Sequence, residues 1–311
     1  KNYRYLKLAF KGNPFKVIIK KVSTAERTNL SDVLKFFEFV EPNYFAVPGA
    51  TETEAASLKS WGISLRNVQR SRVKTIKIVL KDPEGSSDSP YITNLGNNEY
   101  ETTLEGEFTA QEYTICRAGV LAGLSLMTSA TYYKEPWLKR IDIVKDLDEA
   151  IEKGQQVTIW DGEKFKIARG VTSFITPTAS MGRSFSKSRL VEIMDLHLKD
   201  IRNTYDDYYL GQYPNDYAHK RNLCNAVDAY LAEFTKAPNL GLNPEFVAKM
   251  IIDTESQRNY LLSTGKLTPE ELAGMDDYSI DRYDTIDKGF YKVIDYKPLD
   301  VMEDITINVY L

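Results

Sequence analysis

Soft metal ligands are scarce in this chain: it holds two cysteines, Cys116 and Cys224, and two histidines, His197 and His219. No Cys or His set with metal-ligand spacing can be assembled from these, and no cofactor motif is present. The two thiols, far apart in apolar, helix-like surroundings, read as reduced and buried. Long apolar runs are missing as well. None approaches the roughly 20 residues needed to cross a bilayer, and the opening KNYRYLKLAF lacks the apolar core of a signal peptide, so a cytosolic, soluble product is expected. Neither sign of charge dominates: 40 basic and 44 acidic residues are interspersed, for a formal net charge of −4. Without a polybasic face, neither nucleic acid nor membrane is an expected partner. Phosphate cradles are absent too, because Gly162, Gly170 and Gly182 complete no G-x-G-x-x-G and no G-x-x-x-x-G-K-[ST]. The chain begins at Lys1 rather than at a methionine, which is compatible with a leading segment cleaved or left out of the numbering.

What is present is an ordinary globular composition, 42% hydrophobic over 311 residues, enough to bury a core. The first third alternates strands and helices. Residues 15–22 (FKVIIKKV) read as a strand, 30–40 as a helix and 44–47 as an apolar strand stopped by Pro48 and Gly49. Thr51 and Glu54 make a capping box for a helix running to about Arg66, and residues 73–80 (VKTIKIVL) read as the next strand. That order implies crossover connections and a largely parallel sheet covered by helices. Residues 81–96 read as a loop around one short strand. A helix over 110–124 carries Ala118, Gly119, Ala122 and Gly123, so another backbone is expected to pack closely on that face. A short helix over 146–153 ends at Gly154, and strands over 156–160 and 164–168 are joined by Asp161-Gly162, a strong hairpin signal. Further on, helices are expected over 188–208, 220–234, 255–262 and 268–273, the last with Pro269 and a Thr268/Glu271 capping box. Strands are expected over 250–252, 290–296 and 305–311. The overall class is a mixed α/β fold: a helix-covered mixed sheet in the N-terminal half, then helices with closing antiparallel strands.

The last strand organises the reading. Ile305, Ile307, Val309 and Leu311 alternate with Asp304, Thr306, Asn308 and Tyr310, which is the period of a strand with one buried face. Such a strand must find a sheet edge, in its own fold or on a neighbouring copy. Convincing chemistry is lacking elsewhere. Asp206 and Asp207 are adjacent on a helix and point about 100° apart, so they do not converge on one substrate atom. Their place beside a helix C-terminus calls for a compensating basic partner. Ser184, Ser186 and Ser188 have no nucleophile-elbow context, and His197 reads as a satisfied, semi-buried side chain. Arg183, Lys187 and Arg189 could form an anion site near a helix start, or meet an acidic neighbour in an assembly.

Several segments together resemble the contractile tail sheath proteins of phages, prophages and R-type bacteriocins. RAGVLAGLSLMTSATY (117–132) is similar to V-A-G-x-x-A-G-x-x-x-x-x-S-x-T-Y. GQQVTIWDGEKFKIARGVT (154–172) is similar to G-x-x-V-x-I-x-x-G-x-x-x-I-A-R-G-V-N, with Thr172 where asparagine is usual. The stretch 185–211, with RLVEIMD (189–195), DIR (200–202) and YLG (209–211), resembles F-x-K-x-R-x-V-E-x-M-D, D-I-R and Y-I-G-K, with Gln212 in place of the usual lysine. LDVMEDI (299–305) resembles L-D-A-M-E-D-L, and NYFAVP (43–48) resembles part of F-N-Y-L-A-V-P.

The resemblance implies a structural subunit without a catalytic centre or cofactor. Such subunits stack as six-fold rings into a helical sheath around a tail tube and contract to drive the tube through a target envelope. The implied partners are further copies of the chain, the tail tube protein, and baseplate and terminator proteins. The implied location is a virion tail or bacteriocin particle assembled in the host cytoplasm. In the family, terminal arms add strands to neighbouring sheets, which makes residues 304–311 the expected inter-subunit strand and Arg183, Lys187, Arg189, Asp206 and Asp207 the candidate charged assembly contacts. On this reading the chain divides into an N-terminal α/β part (1–98), a sheath region (99–303) and a C-terminal arm (304–311). The competing readings are an α/β hydrolase using Asp206 or Asp207, and a non-contractile assembly scaffold.

Overall fold

A computed structural model describes residues 2–23, 27, 30–67, 74–82, 87–236 and 241–308. The chain forms two compact units, Lys1–Asp195 with Asp300–Leu311, and Leu196–Leu299. These boundaries do not coincide with the 98/99 and 303/304 divisions read from the sequence, because residues 99–195 complete the sheet begun by residues 44–95 and residues 300–304 return to the first unit.

In the first unit, α1 (Asn2–Ala9), α2 (Ser31–Val40), β1 (Tyr44–Phe45), α3 (Glu52–Asn67), β2 (Lys77–Leu80) and β3 (Ile92–Leu95) come first. They are followed by β4 (Glu99–Thr102), β5 (Gly106–Thr109), α4 (Ala110–Gly123), β6 (Leu138–Ile141), α5 (Leu147–Glu152), β7 (Gln155–Gln156), β8 (Thr158–Trp160) and β9 (Phe165–Ile167). The central sheet is parallel throughout, in the order β1-β2-β3-β7. Every residue of β2 and β3 is buried, as a parallel sheet covered on both faces requires. Alternation sorts their side chains. Ile78, Leu80 and Ile92 pack with Val33, Phe37, Leu58 and Trp61 of α2 and α3. Val79 and Leu95 pack with Tyr113, Cys116 and Val120 of α4.

The small residues of α4 have a clear occupant. A Cβ on Gly119 would collide with the Ala9 carbonyl, and one on Gly123 with the Gly12 carbonyl, so α1 and the turn after it lie directly on that face. The Thr51/Glu54 capping box forms as expected. A second one, Thr109 with Glu112, starts α4. The Asp161-Gly162 turn closes the antiparallel β8-β9 pair, with Gly162 at φ +102°.

Three sequence readings change. Residues 15–22 form no strand, and Phe15 and Ile19 lie exposed. Residues 99–107, polar in sequence, with 108–109 reading as the lead into a helix, form the β4-β5 hairpin of a three-stranded antiparallel sheet, order β5-β4-β6. It is held inward by Tyr100, which stacks on Tyr113 at 3.8 Å. The run 156–160 is split between two sheets, β7 joining β3 and β8 pairing with β9. Val73 lies outside the described residues.

α6 (Ser188–Tyr208) begins in the first unit and ends in the second. The second unit continues with α7 (Tyr217–Lys236), β10 (Lys249–Ile252), α8 (Thr254–Ser263), α9 (Pro269–Ala273), α10 (Asp277–Arg282) and β11 (Tyr291–Ile294). β10 and β11 form an antiparallel pair. Met250 and Ile252 pack with Leu223, Cys224, Val227 and Leu231 of α7. Leu261, Leu267, Leu272 and Ile280 make a separate small core under α8, α9 and α10. Cys116 and Cys224 are both buried free thiols. Among the described residues, no helix is long and apolar enough to cross a membrane.

Candidate assembly site at the C-terminal segment

The segment after β11 returns to the first unit with its polarity reversed. Met302, Ile305 and Ile307 are 81%, 71% and 79% exposed, whereas the side chain of Glu303 between them is only 7% exposed. Burying a carboxylate in preference to its apolar neighbours is unfavourable unless its charge is met. Here it is met by four side chains from three segments. Lys187, just before α6, donates to Glu303 Oε2 at 2.5 Å. Thr131 and Ser129, in the loop after α4, donate their hydroxyls to Oε1 at 2.6 and 3.0 Å. Arg169, two residues past β9, lies 3.5 Å from Oε2 and donates to Asp304 at 2.5 Å. Burial works against the Glu303 charge, yet the bonds from Lys187 and Thr131 hold its carboxyl below the usual glutamate value. Arg189 completes the arrangement: its Nε donates to the Leu126 carbonyl at 2.8 Å, and its Nη1 lies 3.7 Å from Asp300. An open groove of about 750 Å³ runs beside the cluster, lined by Met127, Tyr133, Pro136, Trp137, Met302 and Glu303 among others.

Of the residues singled out from the sequence, Lys187 and Arg189 are therefore engaged by Glu303 and Asp300 of their own chain. Arg183 stands exposed on a short 3-10 turn, Arg183–Ser186. Asp206 and Asp207 belong to the second unit, half-buried and exposed on the last turn of α6. The last strand is expected to bury one face in its own sheet or a neighbour's, and the single subunit does not bury it over the described residues. Residues 304–308 form no strand, and Asp304, Ile305, Thr306, Ile307 and Asn308 are exposed. Val309, Tyr310 and Leu311 lie outside the described residues. Ser129, Thr131, Arg169, Asp300 and Glu303 escape sequence reasoning, which treats them as motif letters. The usable signal is that each is a polar position inside one of three separate motifs.

Two buried polar networks fix the scaffold around this site. Arg117 and Glu135, both fully buried, pair at 3.2 Å. Thr158 accepts from Arg117 at 2.7 Å and donates to Glu135 at 2.8 Å, Tyr113 donates to Glu135 at 3.1 Å, and Gln156 accepts from Arg117 at 3.1 Å. Asp195 of α6 accepts a two-pronged contact from Arg66 at 2.5 and 2.7 Å and a third bond from Lys77 at 3.1 Å. Burial opposes the charge on Asp195, but Lys77 and Arg66 outweigh it and its carboxyl stays below the usual aspartate value. In the second unit, His197 is bonded through Nδ1 to the Tyr296 hydroxyl at 2.7 Å. It packs edge-on against Tyr230 and Phe234, and burial pulls its pKa down to about 4. Among the described residues, no group of three or more His, Cys, Asp or Glu side chains could hold a metal ion.

No family model matches the chain. It is, however, 32% identical over 322 aligned positions to the tail sheath protein of Clostridium phage phiCD119, covering 99% of this chain and 84% of that one. The chain belongs to the tail sheath protein family. Solved sheath structures share its fold. The anti-feeding prophage helical sheath in its contracted state matches at a TM-score of 0.66 and 12% identity, over 98% of this chain and 81% of that one. The sheath tail protein of Desulfitobacterium hafniense matches at a TM-score of 0.59 and 18% identity over 70% of this chain, and the match spans 50% of the length of that structure. The places where this sheath chain departs from the motif letters are accommodated locally. Thr172 donates to the Phe185 carbonyl at 2.8 Å. Gln212 donates its amide to the Asp207 carbonyl at 2.9 Å, closing one of the carbonyls that a helix end leaves open.

Proposed function

We propose that the chain is a structural, non-catalytic subunit of a contractile tail sheath. It assembles as stacked six-fold rings around a tail tube, with baseplate and terminator proteins at the two ends, and contracts to drive the tube through a target envelope. Residues 304–311 act as an arm that adds a strand to a neighbouring subunit. The observation carrying this reading is the exposed, unpaired 304–308 segment in a chain related to a tail sheath protein over nearly its whole length. Its alternating Ile305 and Ile307 are exposed among the described residues, and strand addition would bury them while satisfying the backbone.

The test is co-expression with the tube protein, followed by electron microscopy. Striated cylinders that shorten on mild denaturant or heat are expected. Deleting residues 304–311 should leave a folded, soluble monomer that forms no cylinders. Normal cylinders from the truncated chain would rule out arm donation, and cylinders that never shorten would rule out contraction.

A further inference from the structure

A donated arm must be fixed to its own subunit somewhere, and the geometry points to Glu303. We propose that this carboxylate is the anchor at which the C-terminal arm leaves the subunit body, so that a pull on residues 305–311 is borne by the cluster of Ser129, Thr131, Arg169 and Lys187. This deepens the arm-donation reading and rests on it.

Three observations carry the proposal. First, the reversed polarity of residues 302–307 means that apolar burial does not hold this segment down, since Met302, Ile305 and Ile307 all face solvent. What holds it is a nearly enclosed carboxylate with two hydroxyl, one ammonium and one guanidinium partner. Second, those partners come from three segments far apart in sequence, residues 129–131, 169 and 187. Each is rooted in a different element: the loop after α4, the strand end of β9 and the start of α6. A load on Glu303 is thereby spread over the body and does not peel one loop away. Third, the contacts end abruptly. Asp304 is 73% exposed on its side chain with one bond to Arg169, and residues 305–308 are exposed throughout. The anchor thus lies immediately before the arm. Charge-assisted bonds suit this role because they are directional and are lost together only when the carboxylate is withdrawn from all its partners.

The experiment uses the full chain, Glu303→Ala, Glu303→Gln, Asp304→Asn and a deletion of residues 305–311. On isolated subunits, timed digestion with a nonspecific protease followed by mass spectrometry reads how often residues 300–308 leave the body. Glu303→Ala should be cut there about tenfold faster or more, Glu303→Gln by less because it keeps the hydroxyl contacts, and Asp304→Asn hardly at all. The melting transition of Glu303→Ala should remain a single cooperative step, lowered by no more than a few degrees, showing that the body is folded. In assemblies, Glu303→Ala should give cylinders that break or shed subunits on contraction, with Asp304→Asn behaving like the parent. Parental cutting rates in Glu303→Ala would overturn the anchor. So would fast cutting combined with cylinders that contract intact. If the 305–311 deletion assembled normally, arm donation would fall, and the digestion of isolated subunits would still decide whether Glu303 holds the segment.

Discussion

The two units bury polar groups by opposite strategies. The first takes charges inside as matched pairs: Arg117 with Glu135, and Asp195 with Arg66 and Lys77. The second buries bases against neutral partners. His197 faces the Tyr296 hydroxyl and aromatic rings, and Lys220 faces Gln257 and Thr285. Burial pulls the pKa of both down, with Asp200 opposing it at His197 and Asp281 opposing it at Lys220. A buried pair is insensitive to mild acid but fragile when one member is removed. A buried imidazole such as His197 tolerates loss of a partner better but must be kept unprotonated. The first unit should therefore respond strongly to mutation and the second to pH.

The largest effect should come from breaking the Arg117–Glu135 pair. Arg117→Met or Glu135→Leu alone strands a fully buried charge and should cost about 3–5 kcal/mol. The double variant should recover part of that, since no buried charge is left without its counter-charge and only the neutral groups of Thr158, Tyr113 and Gln156 lose a partner. Hydrogen exchange across α4 and β8 follows the first unit separately, which matters because two units need not unfold as one. Equal losses in single and double variants would mean that packing volume, not charge, is the cause.

Lowering the pH reverses the ranking. The folded-state pKa of His197 is about 4, against 6.5 when unperturbed. Above pH 6.5 both folded and unfolded states are neutral, and the contribution is fully present. As pH falls from 6.5 towards 4, the unfolded chain takes up a proton that the fold refuses, and roughly 2–3 kcal/mol is lost from the second unit. Asp195 and Glu303 have folded pKa values below their ordinary ones. Their contribution is present above the ordinary carboxylate pKa and is lost as pH falls below it towards the lower folded pKa. Exchange protection in α7 should weaken between pH 6.5 and 4.5 while protection in β2 and β3 holds, and His197→Phe should flatten the α7 response. Parallel losses in both units would remove the contrast.

The same division explains what could be read from the sequence. Local chemistry was legible: capping boxes at Thr51 and Thr268, the Asp161-Gly162 turn, and the demand for a close neighbour at Gly119 and Gly123 all lie within a few residues of their cause. Pairing was not. FKVIIKKV has strand-like residues, but alternation identifies a face and says nothing of whether a ladder partner exists, so residues 15–22 stay unpaired. Conversely, Glu99 to Glu107 looks too polar for strands, and the hairpin pairs because Tyr100, Thr102 and Phe108 carry the buried side. The anchor was the least legible feature. Glu303 is one carboxylate among 44 acidic residues, and only the fold brings positions 129, 131, 169 and 187 around it.

Close packing gives a smaller effect, specific to the first unit. Gly119→Val places methyl groups against the Ala9 carbonyl and should cost about 1–3 kcal/mol by lifting α1 from α4. Protection in α1 should fall while α7 is unchanged. If α1 were held mainly by other contacts, such as the Tyr5 hydroxyl on Glu112, α1 would keep its protection in Gly119→Val and lose it in Tyr5→Phe.

The smallest effects should be the same in both units, which makes them a control on the contrast. Thr109 caps α4 in the first unit and Thr268 caps α9 in the second, each with a glutamate three residues on completing the box. A cap satisfies backbone N–H groups at a helix start by contacts within one turn, independent of how the surrounding core treats charge. Thr109→Ala and Thr268→Ala should therefore each cost about 1 kcal/mol, read from exchange in the capped helix, and both costs should stay flat from pH 7 to pH 5. A cap in the second unit whose cost grew on acidification would show that the response assigned to His197 is spread over the whole unit and does not reside in one imidazole.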